Sequence, residues 1–147
     1  MSDRMVVCSS CGGINRLPEK RDASAAKCGK CSERLFGGHP HDVDAATFDR
    51  HVKRSTLPVL VDIWAPWCGP CLSMAPAYKA AAAELEPDVM LLKLDSDKNP
   101  AISERLGIRG IPTMILFHAG REVARTSGAM SASQIVSWVR GKLPATA

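Results

Sequence analysis

An apolar run that is separated by three residues from a pair of cysteines most constrains how this chain can fold. Residues 59–64 (VLVDIW) are apolar except for Asp62, the pattern of a central strand covered on both faces. Trp67-Cys68-Gly69-Pro70-Cys71 comes next and leads into an alanine-rich segment typical of a helix. The helix dipole and the free N–H groups of a first turn favour a thiolate at Cys68. The arrangement therefore predicts a redox-active dithiol in preference to a structural or metal-binding pair.

The length and the cysteine usage set the broad class of protein. The chain has 147 residues, which predicts one domain with a small appendage. Its N-terminus lacks an apolar stretch of signal-peptide length, and no segment approaches the length of a membrane span. We therefore expect a cytoplasmic protein, whose thiols stay reduced. All six cysteines fall in C-x-x-C pairs, which in that compartment are metal ligands or catalytic thiols.

Two of these pairs lie near the N-terminus, separated by sixteen residues. They consist of Cys8 with Cys11 and of Cys28 with Cys31, a spacing typical of a four-cysteine zinc site. Residues 1–38 hold few large apolar side chains, and a segment this short usually needs a metal or disulfides to fold. We predict one structural zinc ion, with two disulfides or free thiols as the alternatives.

The charge distribution bears on the partners of this segment. Residues 1–40 hold seven Lys and Arg against four Asp and Glu, and residues 41–147 hold twelve against eleven. Four thiolates on one zinc ion carry a charge of about −2, which offsets most of the N-terminal surplus. No run of like charge is long enough for a nucleic-acid-binding arm. We therefore predict neither a nucleic-acid partner nor a membrane partner.

Residues 37–41 (GGHPH) have the composition of a linker, which we place at residues 39–41. It would join a zinc-binding ribbon module at residues 1–38 to a second domain at residues 42–147. The linker histidines should be exposed, because four cysteines already complete a tetrahedral metal site. We expect His51 and His118 to be surface or half-buried residues without a special role.

Strands and helices alternate in the second domain, which predicts an α/β fold. Caps mark three of the helices: Asp44, Asn99 before Pro100, and a capping box of Ser131 with Gln134. The predicted elements are helices at 44–55, 68–85 with a kink at Pro76, after Asn99, and 131–143, and strands at 58–65, 89–95, 113–117 and 122–126.

At this point the residues resemble those of the thioredoxin family closely. The resemblance is carried by residues 61–71 (VDIWAPWCGPC), Lys93, residues 107–113 (GIRGIPT) and Gly128-Ala129, in the family's order. It covers about residues 42–147. The segment before it resembles the zinc-containing thioredoxin 2 class, mainly in its cysteine spacing. The implied fold is the thioredoxin fold, a central mixed sheet flanked by helices, preceded by a small four-cysteine zinc ribbon.

The resemblance implies a protein-disulfide reductase. Cys68 would attack a disulfide of a client protein, and Cys71 would then attack Cys68 and release the reduced client. Asp62 would take the proton from Cys71, with Lys93 as its charge partner. Electrons would come from NADPH through thioredoxin reductase. The chain has no nucleotide-binding glycine motif and should bind no nucleotide cofactor itself, and we expect a monomer.

The surface around the cysteines is implied to be the docking surface for clients. Pro112 resembles the family's cis-proline, and a cis bond would place the backbone of Ile111 where an extended client strand can pair with it. Leu72 stands where a basic residue is common and Ser127 where an apolar residue is frequent, so the choice of clients should differ. The active-site loop and docking residues are Trp67, Gly69, Pro70, Ile111, Pro112 and Gly128.

Two other interpretations remain open. The chain could be a zinc-ribbon interaction module on a redox-silent domain, although intact Cys68 and Cys71 argue against silence. It could also be a redox switch, in which the zinc cysteines sense oxidation and the thioredoxin domain is the effector. An isomerase role is disfavoured, because Gly-Pro and not a histidine-containing dipeptide separates the cysteines. If residues 42–147 have a core of their own, removal of residues 1–38 should leave disulfide reduction largely intact.

Overall fold

The computed structural model describes residues 3–143, which form an N-terminal hairpin followed by a five-stranded sheet with helices on both faces. Within these residues, no helix combines the length and the apolar character that a membrane crossing requires. The elements are β1 (Arg4–Val7), β2 (Ile14–Leu17), a 3-10 turn (Ala23–Ala25), β3 (His41–Asp42), α1 (Ala45–Arg54), β4 (Val59–Trp64), α2 (Gly69–Leu85), β5 (Met90–Asp95), α3 (Pro100–Arg105), β6 (Thr113–His118), β7 (Arg121–Ser127) and α4 (Ala132–Lys142).

The sheet has the strand order β3-β5-β4-β6-β7. β3, β5 and β4 are parallel, whereas β6 and β7 run antiparallel to their neighbours, so the predicted mixed sheet is confirmed. Successive side chains of a strand point to opposite faces. Val61 and Ile63 therefore pack with α1 and α3, and Leu60 packs with α2 and α4. Cover on both faces explains why consecutive residues of β4 are apolar.

All three predicted N-cap residues precede their helices, but only two of them form a capping hydrogen bond through the side chain. The side chain of Asp44 caps α1, and Ser131 with Gln134 forms the capping box of α4. Asn99 precedes α3, but its side chain makes no capping hydrogen bond. Its Oδ1 accepts the backbone N–H of Ala45 at 3.0 Å instead. A donor from a distant segment has taken the oxygen that the local pattern assigns to the cap.

The N-terminal hairpin is hydrogen-bonded to the connection between α1 and β4. The backbone N–H of Met5 donates to Thr56 Oγ1 at 3.0 Å, and the backbone N–H of Thr56 donates to the carbonyl of Met5 at 3.0 Å. The N–H of Val7 donates to Ser55 Oγ at 3.3 Å. These bonds fix the hairpin next to the start of β4, at the end of the strand away from Cys68.

The N-terminal segment and the sheet share one hydrophobic core. Leu35 and Phe36 are 1% and 2% exposed and belong to the same buried cluster as Phe48 and Phe117. The rings of Phe48 and Phe117 meet edge to face, with centroids 5.6 Å apart. Residues of the ribbon therefore extend the core on this face, whereas the cluster on the other face is formed by residues of the second domain alone.

The substitution Phe36→Ala is expected to destabilise the whole chain by about 3–5 kcal/mol, because it leaves a cavity where a buried ring packed. All three tryptophans lie in residues 42–147, so their fluorescence during urea denaturation reports the unfolding of the sheet itself. Val123→Ala is the control, since Val123 is 42% exposed on β7 and its loss should cost no more than about 0.5 kcal/mol. A cost for Phe36→Ala as small as that of the control would contradict a shared core.

The segment predicted as a linker is held by a buried carboxylate at the end of α2. Glu86 Oε1 accepts the backbone N–H groups of Gly37 at 3.3 Å and Gly38 at 3.1 Å. His41 begins β3, and its Nε2 lies 3.5 Å from Glu86 Oε2. His39 is exposed as expected, whereas the expected exposure of His41 is wrong, since its side chain is only 12% exposed.

Candidate active site and metal centre

The two cysteines of the C-G-P-C sequence stand at the N-terminus of α2 and form a disulfide in this structure. Cys68 is the N-cap residue, and its Sγ accepts the backbone N–H of Cys71 at 3.2 Å. The same N–H and the dipole of α2 would stabilise a thiolate at Cys68 after reduction. Gly69 and Pro70 form the first helical residues, where the lack of a proline N–H costs nothing.

Access, more than burial, distinguishes the two cysteines. Both residues are nearly buried, at 4% exposure for Cys68 and 3% for Cys71. A surface groove of about 520 Å³ is lined by Cys68 but not by Cys71. Trp67 borders this groove with 70% of its surface exposed, and its Nε1 donates to Asp97 Oδ1 at 3.2 Å. A client disulfide in the groove would therefore meet Cys68 first.

The opposite wall of the site is formed by the segment before β6. The Ile111–Pro112 peptide bond is cis, and the carbonyl oxygen of Ile111 lies 3.7 Å from Cys68 Sγ. The backbone N–H of Gly128 donates to the carbonyl of Pro112 at 2.9 Å. Gly128 has a φ of +101°, and no atom lies within 4 Å of the position that a Cβ would occupy. This wall therefore offers open backbone to an incoming chain.

Asp62 is the buried carboxyl group of the central strand, with 1% exposure and no hydrogen-bond partner for Oδ1. Burial raises its pKa to about 7, and the charge of Lys93 opposes this shift only in part. The two residues are register partners on β4 and β5, yet no ion pair joins them. Lys93 Nζ lies 4.3 Å from the ring centroid of Trp64 instead, a cation–π contact. A carboxyl group that titrates near neutrality is suited to proton transfer.

The substitution Asp62→Asn is expected to slow turnover and yet to stabilise the fold above neutral pH. An aspartate of the unfolded chain ionises near pH 3.9, whereas Asp62 of the folded chain keeps its proton up to about pH 7. Between these two pH values the folded state binds more protons than the unfolded state, so the free energy of unfolding of the wild type falls as the pH rises. At about pH 8 the variant should exceed the wild type by up to about 4 kcal/mol, and at about pH 4 the two should be equal. Urea denaturation at both pH values measures this, and a gain of equal size at both would contradict a buried, titrating carboxyl.

The four N-terminal cysteines converge at the tips of two turns. Their sulfur atoms all lie within 4.8 Å of one another, and the pairs Cys8–Cys31 and Cys11–Cys28 are each 3.6 Å apart. A zinc ion bonded tetrahedrally at about 2.3 Å requires sulfurs about 3.8 Å apart. The cluster therefore fits a four-thiolate metal site in which no ligand position stays open.

Asn15 braces the two metal-binding turns. Its Oδ1 accepts the backbone N–H of Gly29 at 2.9 Å, and its Nδ2 donates to the carbonyl of Gly13 at 3.4 Å. The N–H of Gly13 in turn donates to Cys11 Sγ at 3.4 Å. Donors of this kind orient metal ligands and favour their charged form. The sequence pattern gives no sign of this brace.

The prediction that His51 is a surface or half-buried residue is wrong. This residue of α1 is fully buried against the first metal-binding turn. Its Nε2 lies 3.0 Å from Ser9 Oγ, and Arg50 Nη1 donates to the carbonyl of Gly12 at 3.0 Å. Burial lowers the pKa of His51 to about 3, so the imidazole is neutral. The ribbon covers this face of α1, a contact that the helix's own residues do not reveal.

The comparisons with known proteins agree with this geometry. A thioredoxin family model matches residues 39–141, and a model described as the N-terminal zinc ribbon of thioredoxin 2 matches residues 7–33. Thioredoxin C-3 of Corynebacterium nephridii is 40% identical over 139 residues, which cover 95% of each chain. Thioredoxin of Pyropia yezoensis is 43% identical over 95 residues, which cover 65% of this chain and 89% of that protein.

Solved structures show the same fold. A mutant thioredoxin from Halobacterium salinarum NRC-1 superposes with a TM-score of 0.66 at 26% identity, covering 76% of this chain and 97% of that one. Thioredoxin of Malassezia sympodialis gives a TM-score of 0.63 at 25% identity, covering 69% and 88%.

The fold and the disulfide at the start of α2 define a thiol–disulfide oxidoreductase. The chain belongs to the thioredoxin family, with an N-terminal ribbon of the thioredoxin 2 type, and it is a protein-disulfide reductase. These matches do not support the alternative of a zinc-ribbon module on a redox-silent domain.

Proposed function

We propose that Cys68 is the attacking thiol of this reductase and Cys71 the resolving thiol. The Cys68 thiolate attacks one sulfur of a client disulfide, which breaks the client's S–S bond and forms a mixed disulfide. The Cys71 thiolate then attacks the Cys68 sulfur, releases the second client thiolate and closes the Cys68–Cys71 disulfide. Asp62 takes the proton of Cys71, and Lys93 tunes Asp62 through its charge. The observation that carries this assignment is the groove, which Cys68 lines and Cys71 does not.

The docking of clients follows from the walls of the groove. An extended client segment lies between Trp67 and the Ile111–Pro112 bond, pairs with the backbone of Ile111, and passes over Gly128, where the surface is open. Gly69 and Pro70 present the loop itself without bulky side chains. Leu72 is 52% exposed at the edge of this surface, so an apolar contact replaces a charge there.

The partners and the cofactor are proposed from the resemblance and the metal-site geometry together. Clients are disulfide-containing proteins, and the electrons come from NADPH through thioredoxin reductase, with no nucleotide bound by this monomeric, cytoplasmic chain. One zinc ion is held by the four clustered cysteines, where it would fix the two turns in place without any role at Cys68. The chain divides into a ribbon at residues 1–38, a linker at 39–41 and the thioredoxin domain at 42–147.

Reduction of insulin by the full chain, with NADPH and a thioredoxin reductase, tests the redox part of this proposal. NADPH should be consumed only when insulin, reductase and the chain are all present. Metal analysis of the same preparation should give about one zinc per chain, as one four-cysteine site requires. Consumption of NADPH by the chain without reductase would contradict the proposed electron source, and an absence of insulin reduction would contradict the assigned activity.

A further inference from the structure

The metal-site cysteines are a second set of close thiols in a chain whose activity is disulfide reduction. The sulfurs of Cys8 and Cys31, and those of Cys11 and Cys28, are each 3.6 Å apart. Cys8 and Cys28 are buried, whereas Cys11 is exposed and Cys31 is half-buried. Each close pair therefore joins a buried cysteine to one that can be reached from outside. A disulfide in either pair would leave one of its two residues open to attack.

We propose that the oxidised metal centre is itself a client of this protein, reduced by the Cys68/Cys71 dithiol of a second copy of the chain, so that the site can bind metal again. This inference rests on the proposed roles of Cys68 and Cys71. It adds a substrate, the chain's own ribbon disulfide, and a partner, another molecule of the same protein.

The positions of the two thiol centres require a second copy. The ribbon is hydrogen-bonded to Ser55 and Thr56, just before β4, whereas Cys68 follows the opposite end of that strand. Six strand residues span about 20 Å, but a disulfide joins sulfurs about 2 Å apart. The hydrogen bonds and the shared core prevent the ribbon from swinging across this distance. A molecule therefore cannot reduce its own ribbon, whereas the exposed Cys11 is accessible to another.

The oxidation step balances with hydrogen peroxide as the oxidant. Two ligand thiolates, one peroxide molecule and two protons give one disulfide and two water molecules. The metal site thereby loses two of its four ligands, and the cation is released. No cysteine of the active site takes part in this step.

The repair step is a thiol–disulfide exchange between two copies. The Cys68 thiolate of the second copy attacks the sulfur of Cys11, which frees Cys28 as a thiolate and forms a mixed disulfide. The Cys71 thiolate then attacks Cys68, frees Cys11 as a thiolate and leaves the second copy with its Cys68–Cys71 disulfide. Attack at Cys31 frees its partner in the same way. One ribbon disulfide is reduced and one active-site dithiol is oxidised.

The test uses two full-length proteins that can be separated by an affinity tag. The tagged target carries Cys68→Ser and Cys71→Ser, is loaded with zinc, and is treated with peroxide until the zinc is released. The donor is untagged wild-type protein, reduced beforehand and freed of reductant. After mixing, mass tagging counts the thiols of the target, and a colorimetric indicator follows the return of zinc to the protein. We expect both signals to recover together, and doubling the donor concentration should double the initial rate.

Two further donors locate the reaction. A Cys68→Ser donor keeps the same zinc-binding cysteines and should give no recovery. A Cys71→Ser donor should remain bound to the target through a mixed disulfide, which mass spectrometry should place between Cys68 and either Cys11 or Cys31. Recovery with the Cys68→Ser donor, or a rate that does not rise with donor concentration, would overturn the proposal.

Insulin reduction by the same donor separates this inference from the proposed function. A donor that reduces insulin but leaves the oxidised target unchanged would contradict this inference and leave the proposed function intact. A donor that reduces neither would point to a failure of the proposed function, and the inference would fall with it. The inference also fails if peroxide treatment produces no ribbon disulfide that dithiothreitol can reduce.

Discussion

Replacement of Cys68 by serine is expected to abolish insulin reduction, lowering the rate by several orders of magnitude, because no mixed disulfide can form without the attacking sulfur. Cys71→Ser should instead stop the reaction one step later. Its Cys68 still attacks, but nothing resolves the mixed disulfide, so client and protein stay joined. The two variants should therefore be equally inactive in turnover and differ in the covalent product.

Gel electrophoresis without reductant and peptide mass spectrometry distinguish these products. Alkylation of the reduced wild type at neutral pH should modify Cys68 before Cys71, since only Cys68 lines the groove. Ser137→Ala is a suitable control, because Ser137 is exposed on α4 and takes no part in the site. Faster labelling of Cys71, or a trapped client on the Cys68→Ser variant, would reverse the assignment.

The double substitution Cys28→Ser with Cys31→Ser is expected to remove the metal and to lower the melting temperature by roughly 10 °C or more. Two ligands cannot hold a tetrahedral site, and the energy of metal binding in such small modules is also folding energy. Leu35 and Phe36 of the ribbon pack with Phe48 in one core. The loss of the metal should therefore also lower the stability of the sheet. Tryptophan fluorescence and circular dichroism during heating should show the lower melting temperature of the thioredoxin domain.

Metal analysis completes this test. The wild type should carry about one zinc per chain and the double variant almost none. Ser10→Ala is the matched control, since Ser10 is an exposed residue between Cys8 and Cys11 and its loss should spare the metal. Full zinc retention in the double variant would contradict the site, as would less than about half an equivalent in carefully reduced wild type. Loss of zinc without any change in melting temperature would contradict the coupling to the sheet.

The sequence predicts most of the architecture because its strongest signals are local. The apolar run at residues 59–64 identifies the central strand, and the cysteines after it identify the start of the next helix. The capping box of Ser131 with Gln134 marks the last helix within a single turn. The buried state of Asp62 also follows from its apolar neighbours in sequence. Each of these inferences needs only residues close together in the chain.

The features that the sequence does not predict depend on pairs that are distant in the chain. His51 meets Ser9 across 42 residues, and Glu86 meets Gly37 across 49. Asn99 gives its oxygen to a donor 54 residues away, and so does not cap its own helix. A local pattern carries no information about which distant segment will cover a helix face or compete for an acceptor. The attachment of the ribbon is for that reason visible only in the folded chain.

The common core also links the metal supply of a cell to the amount of this protein that the cell can maintain. A loss of about 3 kcal/mol raises the unfolded fraction roughly a hundredfold. Unfolded chains are removed continuously by proteases and chaperones, so a change of that size alters abundance. Molecules that lose their metal would unfold more often and would therefore be degraded more often. Zinc shortage or oxidative stress should thus shorten the lifetime of the protein even where its reducing cysteines are undamaged.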